Sequence, residues 1–330
     1  MCGIIGYVGS KEATPILLEG LKKLEYRGYD SSGVGVCSAK DGKIAIRKAQ
    51  GKIRHLEELI KSHAIPHSTV GISHTRWAPH GAPSHRNSHP HCNVKQTIAV
   101  VHNGIIENYQ EIKQELQKKG IKFSSETDTE VIAHLVSQYF HGDLIKAVQK
   151  AIGRVRGAFA IGVISSATPN LLVAARVGSP LIIGIGKGEN FIASDVPAIL
   201  DKTKRVIYLK DGEMAALTAN DVKIWKFDGK PVTPKIDTIT FTVGSAQKEG
   251  YPHFMLKEIH EQPNVLAQMM KVRTKGNNVI LDGIGLSDNQ LKSIKNIYIV
   301  ACGTAYHAGM VGKYVIEKLS GIPVTVDAAS

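Results

Sequence analysis

Residues 159–217 read FAIGVISSATPNLLVAARVGSPLIIGIGKGENFIASDVPAILDKTKRVIYLKDGEMAAL, and the pattern of this stretch indicates a fold rich in strands. Short apolar runs alternate here with turns that contain Gly, Asn, Asp or Pro. Because parallel strands need crossovers of about a dozen residues or more, such short turns predict antiparallel sheets. The six strands predicted in this stretch are Phe159–Ser165, Leu171–Ala175, Leu181–Ile185, Asn190–Ser194, Arg205–Leu209 and Met214–Leu217.

The residues before this stretch mix strands with helices. Alternating or continuous apolar runs predict strands at Ile4–Val8, Val34–Cys37, Ile44–Arg47, Thr69–Ser73 and Thr97–Val101. Apolar residues at helical spacing predict helices at Ile16–Leu24, Glu111–Lys118, Glu130–Phe140 and Leu144–Ile152. Blocks of helices between runs of strands indicate helices packed against antiparallel sheets.

The pattern changes near residue 228, where a polar stretch with few strands runs to about Tyr251 before helical spacing resumes at Phe254. From Ile297 the sequence predicts a strand, a turn with Gly303, a helix and a second strand, which is the start of a doubly wound parallel sheet. We expect domains at 1–240 and 286–330, joined by a linker at 241–285. Two strands cannot bury an apolar face alone, so we also expect a chain truncated within its second domain.

Composition narrows the class of protein. The four cysteines, Cys2, Cys37, Cys92 and Cys302, show no C-x-x-C spacing, which favours free thiols in the cytoplasm. The net charge of +12 is dispersed and aromatics make up only 6%, so nucleic-acid binding is not expected. No apolar run approaches the ~20 residues that a membrane span requires. The histidines near Cys92 match no zinc spacing, so no metal is expected.

Cysteine at position 2 has a chemistry of its own. If Met1 is removed, Cys2 carries a thiol and a free α-amine whose pKa of about 7.7–8.0 suits it as the base for its own side chain. The alternative is a small buried apolar residue at the start of a strand.

Three further segments are each ambiguous. In HTRWAPHG, Arg76 is able to grip a carboxylate, or to stack on Trp77 in an exposed loop. In VHNGIIEN, Asn103-Gly104 offers two donors to an oxyanion at a strand end, or marks a simple turn. In ETDTE, Asp128 is suited to bind a substrate ammonium, or to cap the following helix.

Together with MCGIIGYVG and YRGYDSSG, these segments resemble in order and spacing the glutaminase domain of class II glutamine amidotransferases. KEIHEQP and ACGTA resemble the linker and sugar-isomerase (SIS) parts of those members that make glucosamine 6-phosphate. The resemblance implies an α+β N-terminal nucleophile hydrolase fold, with two antiparallel sheets between helical layers, followed by the start of an α/β doubly wound sugar-isomerase domain.

The resemblance also implies roles for individual residues. Catalysis is expected from a nucleophilic Cys2, an oxyanion hole at Asn103 and Gly104, and Arg27, which orients the nucleophile. L-Glutamine binding is expected from Arg76, Trp77, His80 and Asp128, and sugar-phosphate binding from Cys302, Gly303 and Thr304. The second substrate is expected to be fructose 6-phosphate, the full-length protein a homodimer, and no cofactor is expected.

One residue departs from the family pattern, and three alternative functions conflict with other features of the sequence. Pro79 stands where the family usually has a threonine whose hydroxyl helps to bind the substrate carboxylate, so weaker glutamine binding is expected. Another class II amidotransferase should carry a phosphoribosyl-binding or pyrophosphate-binding loop, which is not seen. A stand-alone amide hydrolase would not need the βαβ start, and a sugar-phosphate-sensing regulator should begin with a helix-turn-helix.

Overall fold

The computed structural model describes residues 2–28, 30–38, 42–77, 84–240, 250–276, 278–280 and 284–329. The chain divides into two compact units, Met1–Phe254 and Met255–Ser330. The strands in the first unit are β1 Gly3–Gly9, β2 Ser31–Cys37, β3 Ile44–Gln50, β4 Val70–Arg76, β5 His91–Cys92, β6 Ile98–Ile106, β7 Gly157–Ser165, β8 Leu172–Val177, β9 Ile182–Ile185, β10 Glu189–Ala193, β11 Arg205–Tyr208, β12 Glu213–Leu217, β13 Val222–Lys226, β14 Pro231–Val232 and β15 Asp237–Thr238. Its helices are α1 Ala13–Lys22, α2 Ile53–Ser62, α3 Tyr109–Lys118, α4 Glu130–Tyr139 and α5 Leu144–Ile152.

Two antiparallel sheets form the centre of the first unit. The first sheet has the order β15-β11-β9-β10-β1-β4-β2-β3, and the second has the order β14-β13-β12-β8-β7-β6-β5. One apolar core lies between the sheets, with Ile72 of the first sheet and Val101 of the second among its residues. Cores on the outer faces pack α1 and α2 against the first sheet and α3, α4 and α5 against the second. The result is the expected arrangement of two antiparallel sheets between helical layers.

Every strand predicted from the 159–217 stretch is present, with ends shifted by one or two residues. One helix was missed, although Ile53, Leu56 and Ile60 of α2 recur at helical spacing and pack into the core beside the first sheet. Strand β13 was also missed. The predicted strand end at Val101 was wrong, because β6 continues through Asn103-Gly104 to Ile106 and pairs with β7 over its whole length.

The second unit contains the predicted βαβ element. Strands β18 (Ile297–Ala301) and β19 (Val324–Ala328) are parallel, and helix α8 (Gly303–Ser320) connects them. Before them come α6 (Phe254–Arg273), the two-residue strands β16 (Thr274–Lys275) and β17 (Asn278–Val279), and α7 (Asp288–Lys292). Alternate residues of β18 are exposed, Tyr298 by 72% and Val300 by 63%, as expected for a pair of strands that cannot bury both faces.

Candidate active site

The thiol of Cys2 lies against the end of the neighbouring strand. Residue Gly3 pairs with Thr75 across β1 and β4, which brings Cys2 beside Trp77. The Trp77 N–H donates to Cys2 Sγ at 3.3 Å, and the thiol donates to the Trp77 carbonyl oxygen at 3.5 Å. The sulfur is therefore held by backbone groups at the edge of the central strands.

The Cys2 thiol resists ionisation in this position. Burial raises its pKa above the usual value, and this effect outweighs the opposing influence of the Trp77 N–H and the nearby Arg76 guanidinium. A protonated thiol is a poor nucleophile, so this sulfur needs a base before it attacks a carbonyl carbon.

Two predicted site residues hold the backbone of Cys2 rather than its sulfur. Arg27 Nε donates to the Cys2 carbonyl oxygen at 3.3 Å, and Asn103 Nδ2 donates to the same oxygen at 3.1 Å. Arg27 is itself positioned by Asp195, whose Oδ2 lies 2.7 Å from Arg27 Nη1 and accepts from the Tyr26 hydroxyl at 2.6 Å. Burial and this hydrogen bond raise the pKa of Tyr26 to about 12, so the hydroxyl stays a donor.

Gly104 has a conformation that suits only glycine. Its φ is +125°, and a Cβ on this residue would overlap the carbonyl oxygen of Ala158 on the paired strand. The turn interpretation of Asn103-Gly104 was wrong, because both residues belong to β6. The strand places Asn103 on the face between the sheets and leaves Gly104 accessible beside Cys2.

Asp128 anchors the end of β6 and does not cap the helix that follows. Its Oδ2 accepts from the Ile106 N–H at 2.8 Å. Helix α4 has Thr129 at its N-cap, without a side-chain hydrogen bond to the helix. The capping interpretation of Asp128 was therefore wrong. Asp128 instead lines the same small cavity as Cys2, Arg76 and Gly104.

This cavity has a volume of about 20 Å³. Its lining residues are Cys2, Arg76, His89, His102, Gly104, Thr127, Asp128 and Thr129. Arg76 is 3% exposed, which excludes the alternative of an exposed loop with an Arg–Trp stack at the surface. The cavity thus places residues that carry a thiol, a cation and a carboxylate around a space about as large as one water molecule.

The segment that leads to Asp128 is held by a buried carboxylate that sequence reasoning missed. Both oxygens of Glu130 accept from the N–H and hydroxyl groups of Ser124 and Ser125, at 2.6 to 2.9 Å. Burial would raise the pKa of Glu130, but hydrogen bonds from His134, Ser124 and Ser125 outweigh it and hold the pKa below its usual value. The ionised carboxylate therefore fixes the turn before Asp128.

The sequence also did not predict a cluster of neutral histidines at the cavity, of which His89 and His102 line it. The ring of His74 stacks on His89 at 4.1 Å between centroids, and His91 meets the edge of His89 at 4.7 Å. His102 faces the helical side of β6, where its Nδ1 lies 2.8 Å from Thr129 Oγ1. The signal available in the sequence was histidine within or next to predicted strands, in HTR, HPH and VHN. Contact between the rings depends on the packing of the two sheets.

The remaining predicted residues divide into two groups. Trp77 is 54% exposed next to Cys2, while Pro79 and His80 lie outside the described residues. In the second unit, Cys302 is the N-cap of α8, and Gly303 and Thr304 are exposed at its start. Such a helix start directs free backbone N–H groups outward, which is the geometry that binds phosphate.

Two kinds of feature are absent from the part of the chain that the structure describes. No helix in it is long and apolar enough to cross a membrane. Within the same residues, no group of three or more His, Cys, Asp or Glu side chains is placed to hold a metal ion.

Comparison with known proteins agrees with this architecture. Residues 74–201 match the family model described as a glutamine amidotransferase domain, and residues 290–330 match the SIS domain. The chain is similar in structure to a glutamine phosphoribosylpyrophosphate amidotransferase from B. subtilis, with a TM-score of 0.61 and 20% sequence identity. The match covers 98% of this chain and 65% of that one. A second structure, described as the allosteric regulatory enzyme of purine biosynthesis, matches at TM-score 0.63 with the same identity and coverage. These two likenesses establish the fold.

The first unit therefore has the fold of N-terminal nucleophile hydrolases, with Cys2 directly before the central strand β1. Over all of this chain, a protein of Clostridium tetani is 54% identical and one of Aquifex aeolicus is 50% identical. Both are named glutamine–fructose-6-phosphate aminotransferase (isomerizing), and the chain spans 54% of the length of each. The chain is thus similar over its whole length to these two aminotransferases, and it matches a glutamine amidotransferase domain and an SIS domain.

Proposed function

We propose that the first unit hydrolyses L-glutamine to glutamate and ammonia, with Cys2 as the nucleophile. The observation that carries the proposal is a single cavity that joins the Cys2 thiol to Gly104, Arg76 and Asp128. Asn103 adjoins it through its hydrogen bond to the Cys2 carbonyl oxygen. These groups match the acyl, carboxylate and ammonium parts of glutamine.

The first half of the reaction forms a thioester. The α-amine of Cys2, freed by removal of Met1, takes the thiol proton, and the sulfur attacks the side-chain amide carbon of glutamine. Donors from Asn103 and Gly104 stabilise the oxyanion, with Arg27 holding the Cys2 backbone in place. The C–N bond then breaks, and the proton passes from the amine to the departing nitrogen, which leaves as ammonia.

Water completes the cycle. It adds to the thioester carbon, the carbon–sulfur bond breaks, and glutamate leaves while the proton returns to the sulfur. Arg76 binds the substrate carboxylate through paired hydrogen bonds, and Asp128 binds its ammonium. By the family resemblance, Trp77 and His80 are also proposed to contact the substrate.

The second half of the proposal concerns the family's other substrate. The names of the relatives support transfer of the ammonia to fructose 6-phosphate, with glucosamine 6-phosphate as the product. Cys302, Gly303 and Thr304 are proposed to contact the sugar phosphate at the start of α8. A homodimer is proposed from the family resemblance. Four free cysteines support a cytoplasmic location.

Labelling with a glutamine-analogue diazoketone tests the nucleophile directly. We expect one adduct per chain by intact mass, peptide mapping that places it on Cys2, and protection by excess glutamine. A Cys2→Ala variant should fold, take up no label and release no glutamate. A Cys92→Ala variant is the matched control, and should behave like the wild type. A label on Cys37 or Cys92 would refute the assignment.

A further inference from the structure

His74 connects the two sheets at the point where the candidate oxyanion donor meets the nucleophile. It lies on β4 of the first sheet, whereas Asn103 lies on β6 of the second. His74 Nε2 lies 3.0 Å from Asn103 Oδ1 and 3.0 Å from the carbonyl oxygen of His102. The ring is 1% exposed, so these contacts are made away from water.

The protonation of this ring follows from its neighbours. The carbonyl of His102 is only ever an acceptor, so the Nε2 that faces it must carry a proton. Burial lowers the pKa of His74 to about 3, against the effect of its hydrogen bond with Asn103, and the ring therefore stays neutral with its proton on Nε2. Nδ1 has no hydrogen-bond partner within the described residues.

This tautomer fixes which way the amide of Asn103 points. With an N–H donor on the His74 side, the facing Asn103 atom must be the oxygen. The other end of the amide lies 3.1 Å from the Cys2 carbonyl oxygen, which accepts only from the NH₂ group. A rotated amide would place donor against donor and acceptor against acceptor. Both ends therefore require the NH₂ group to face Cys2.

We infer that His74 is a positioning residue that holds the Asn103 NH₂ group toward the developing oxyanion. The amide has two N–H bonds, of which one binds the Cys2 carbonyl oxygen and the other remains for the oxyanion. His74 acts through Asn103 and does not need to touch the substrate. The inference rests on the proposed glutaminase reaction, and wild-type turnover of glutamine tests that reaction separately.

Two variants of the full chain separate this role from simple packing. His74→Phe keeps a flat ring to stack on His89 but lacks the Nε2 donor. His74→Gln keeps an amide N–H near the Nε2 position. We expect His74→Phe to lower kcat about tenfold or more, short of the 10²–10³-fold loss typical of removing an oxyanion donor itself. KM should change little, and His74→Gln should recover most of kcat.

The rate at which iodoacetamide alkylates Cys2 serves as a control, because damage to the packing around Cys2 would change this rate. That reaction displaces iodide and forms no oxyanion, so its rate should be the same in wild type and His74→Phe. Unchanged kcat in His74→Phe, a parallel fall in alkylation, or equal defects in both variants would each overturn the inference. If the His74→Phe variant does not fold, ¹H–¹⁵N spectra of the wild type test the inference by showing which ring nitrogen of His74 carries the proton. A proton on Nε2 of His74 supports the inference, and a proton on Nδ1 overturns it.

Discussion

Mild acid should destabilise the first unit through its buried histidines. Burial lowers the pKa of His74 to about 3 from the ordinary value of 6.5. Burial also lowers the pKa of His89, His91 and His102. His89 has a visible reason to stay neutral, because its Nδ1 accepts the His102 backbone N–H at 3.3 Å and protonation would remove that bond.

The direction in which stability changes with pH follows from the linkage between folding and proton binding. A histidine whose pKa is depressed in the fold stays neutral there, whereas in the unfolded chain it binds a proton below pH 6.5. Its contribution to the free energy of unfolding is therefore fully present above pH 6.5 and is lost as the pH falls toward the folded pKa. For His74 alone, with values of 6.5 and about 3, the loss between pH 7 and pH 5.5 is about 1.3 kcal/mol. His89, His91 and His102, whose pKa values are also lowered, reduce the stability at acid pH in the same way. The free energy of unfolding should therefore fall by more than ~1.4 kcal/mol per pH unit below pH 6.

Urea unfolding at constant ionic strength between pH 7.5 and 5.5 measures this slope. Both tryptophans, Trp77 and Trp225, belong to the first unit, so their fluorescence reports on that unit alone. His89→Asn is the matched variant, because an amide oxygen replaces the Nδ1 acceptor without titrating. Its slope should be shallower by about one proton, or ~1.4 kcal/mol per pH unit. A wild-type stability that is flat from pH 7 to 5.5 would refute the reasoning, as would an unchanged slope in His89→Asn.

Four further outcomes are expected. Arg76→Lys should raise the glutamine KM about tenfold or more while kcat changes little, because an ammonium cannot reproduce the paired hydrogen bonds of a guanidinium; unchanged KM in steady-state assays would remove Arg76 from the site. Asn103→Ala should lower kcat about 10²–10³-fold, and an unaltered kcat would argue against an oxyanion role. Gly104→Ala should cost about 1–3 kcal/mol in urea unfolding, because its φ of +125° is strained for any side chain; a wild-type urea midpoint would contradict this. A polypeptide of residues 1–330 should release glutamate from glutamine but form no glucosamine 6-phosphate from fructose 6-phosphate, and amino-sugar product in the mass spectrum would show this to be wrong.

Much of the fold could be predicted from local pattern. The strands from 159 to 217 and the βαβ element after Ile297 follow from apolar runs and turn residues, which depend on neighbours in sequence. Helix α2, which was not predicted, carries the same kind of local signal in the helical spacing of Ile53, Leu56 and Ile60. Asn103-Gly104 is different, because the dipeptide favours a turn locally and only pairing with β7 keeps it inside a strand.

Motif order and spacing indicated the family resemblance and the candidate site residues, because both can be recognised without coordinates. What those residues contact depends on the tertiary structure. Asp128 binds the Ile106 N–H instead of capping a helix, and Arg27 holds the Cys2 carbonyl oxygen with support from Asp195. His74 meets Asn103 because β4 and β6 belong to different sheets that pack face to face. Such contacts join residues far apart in the chain, and they depend on packing between layers, which no local pattern encodes.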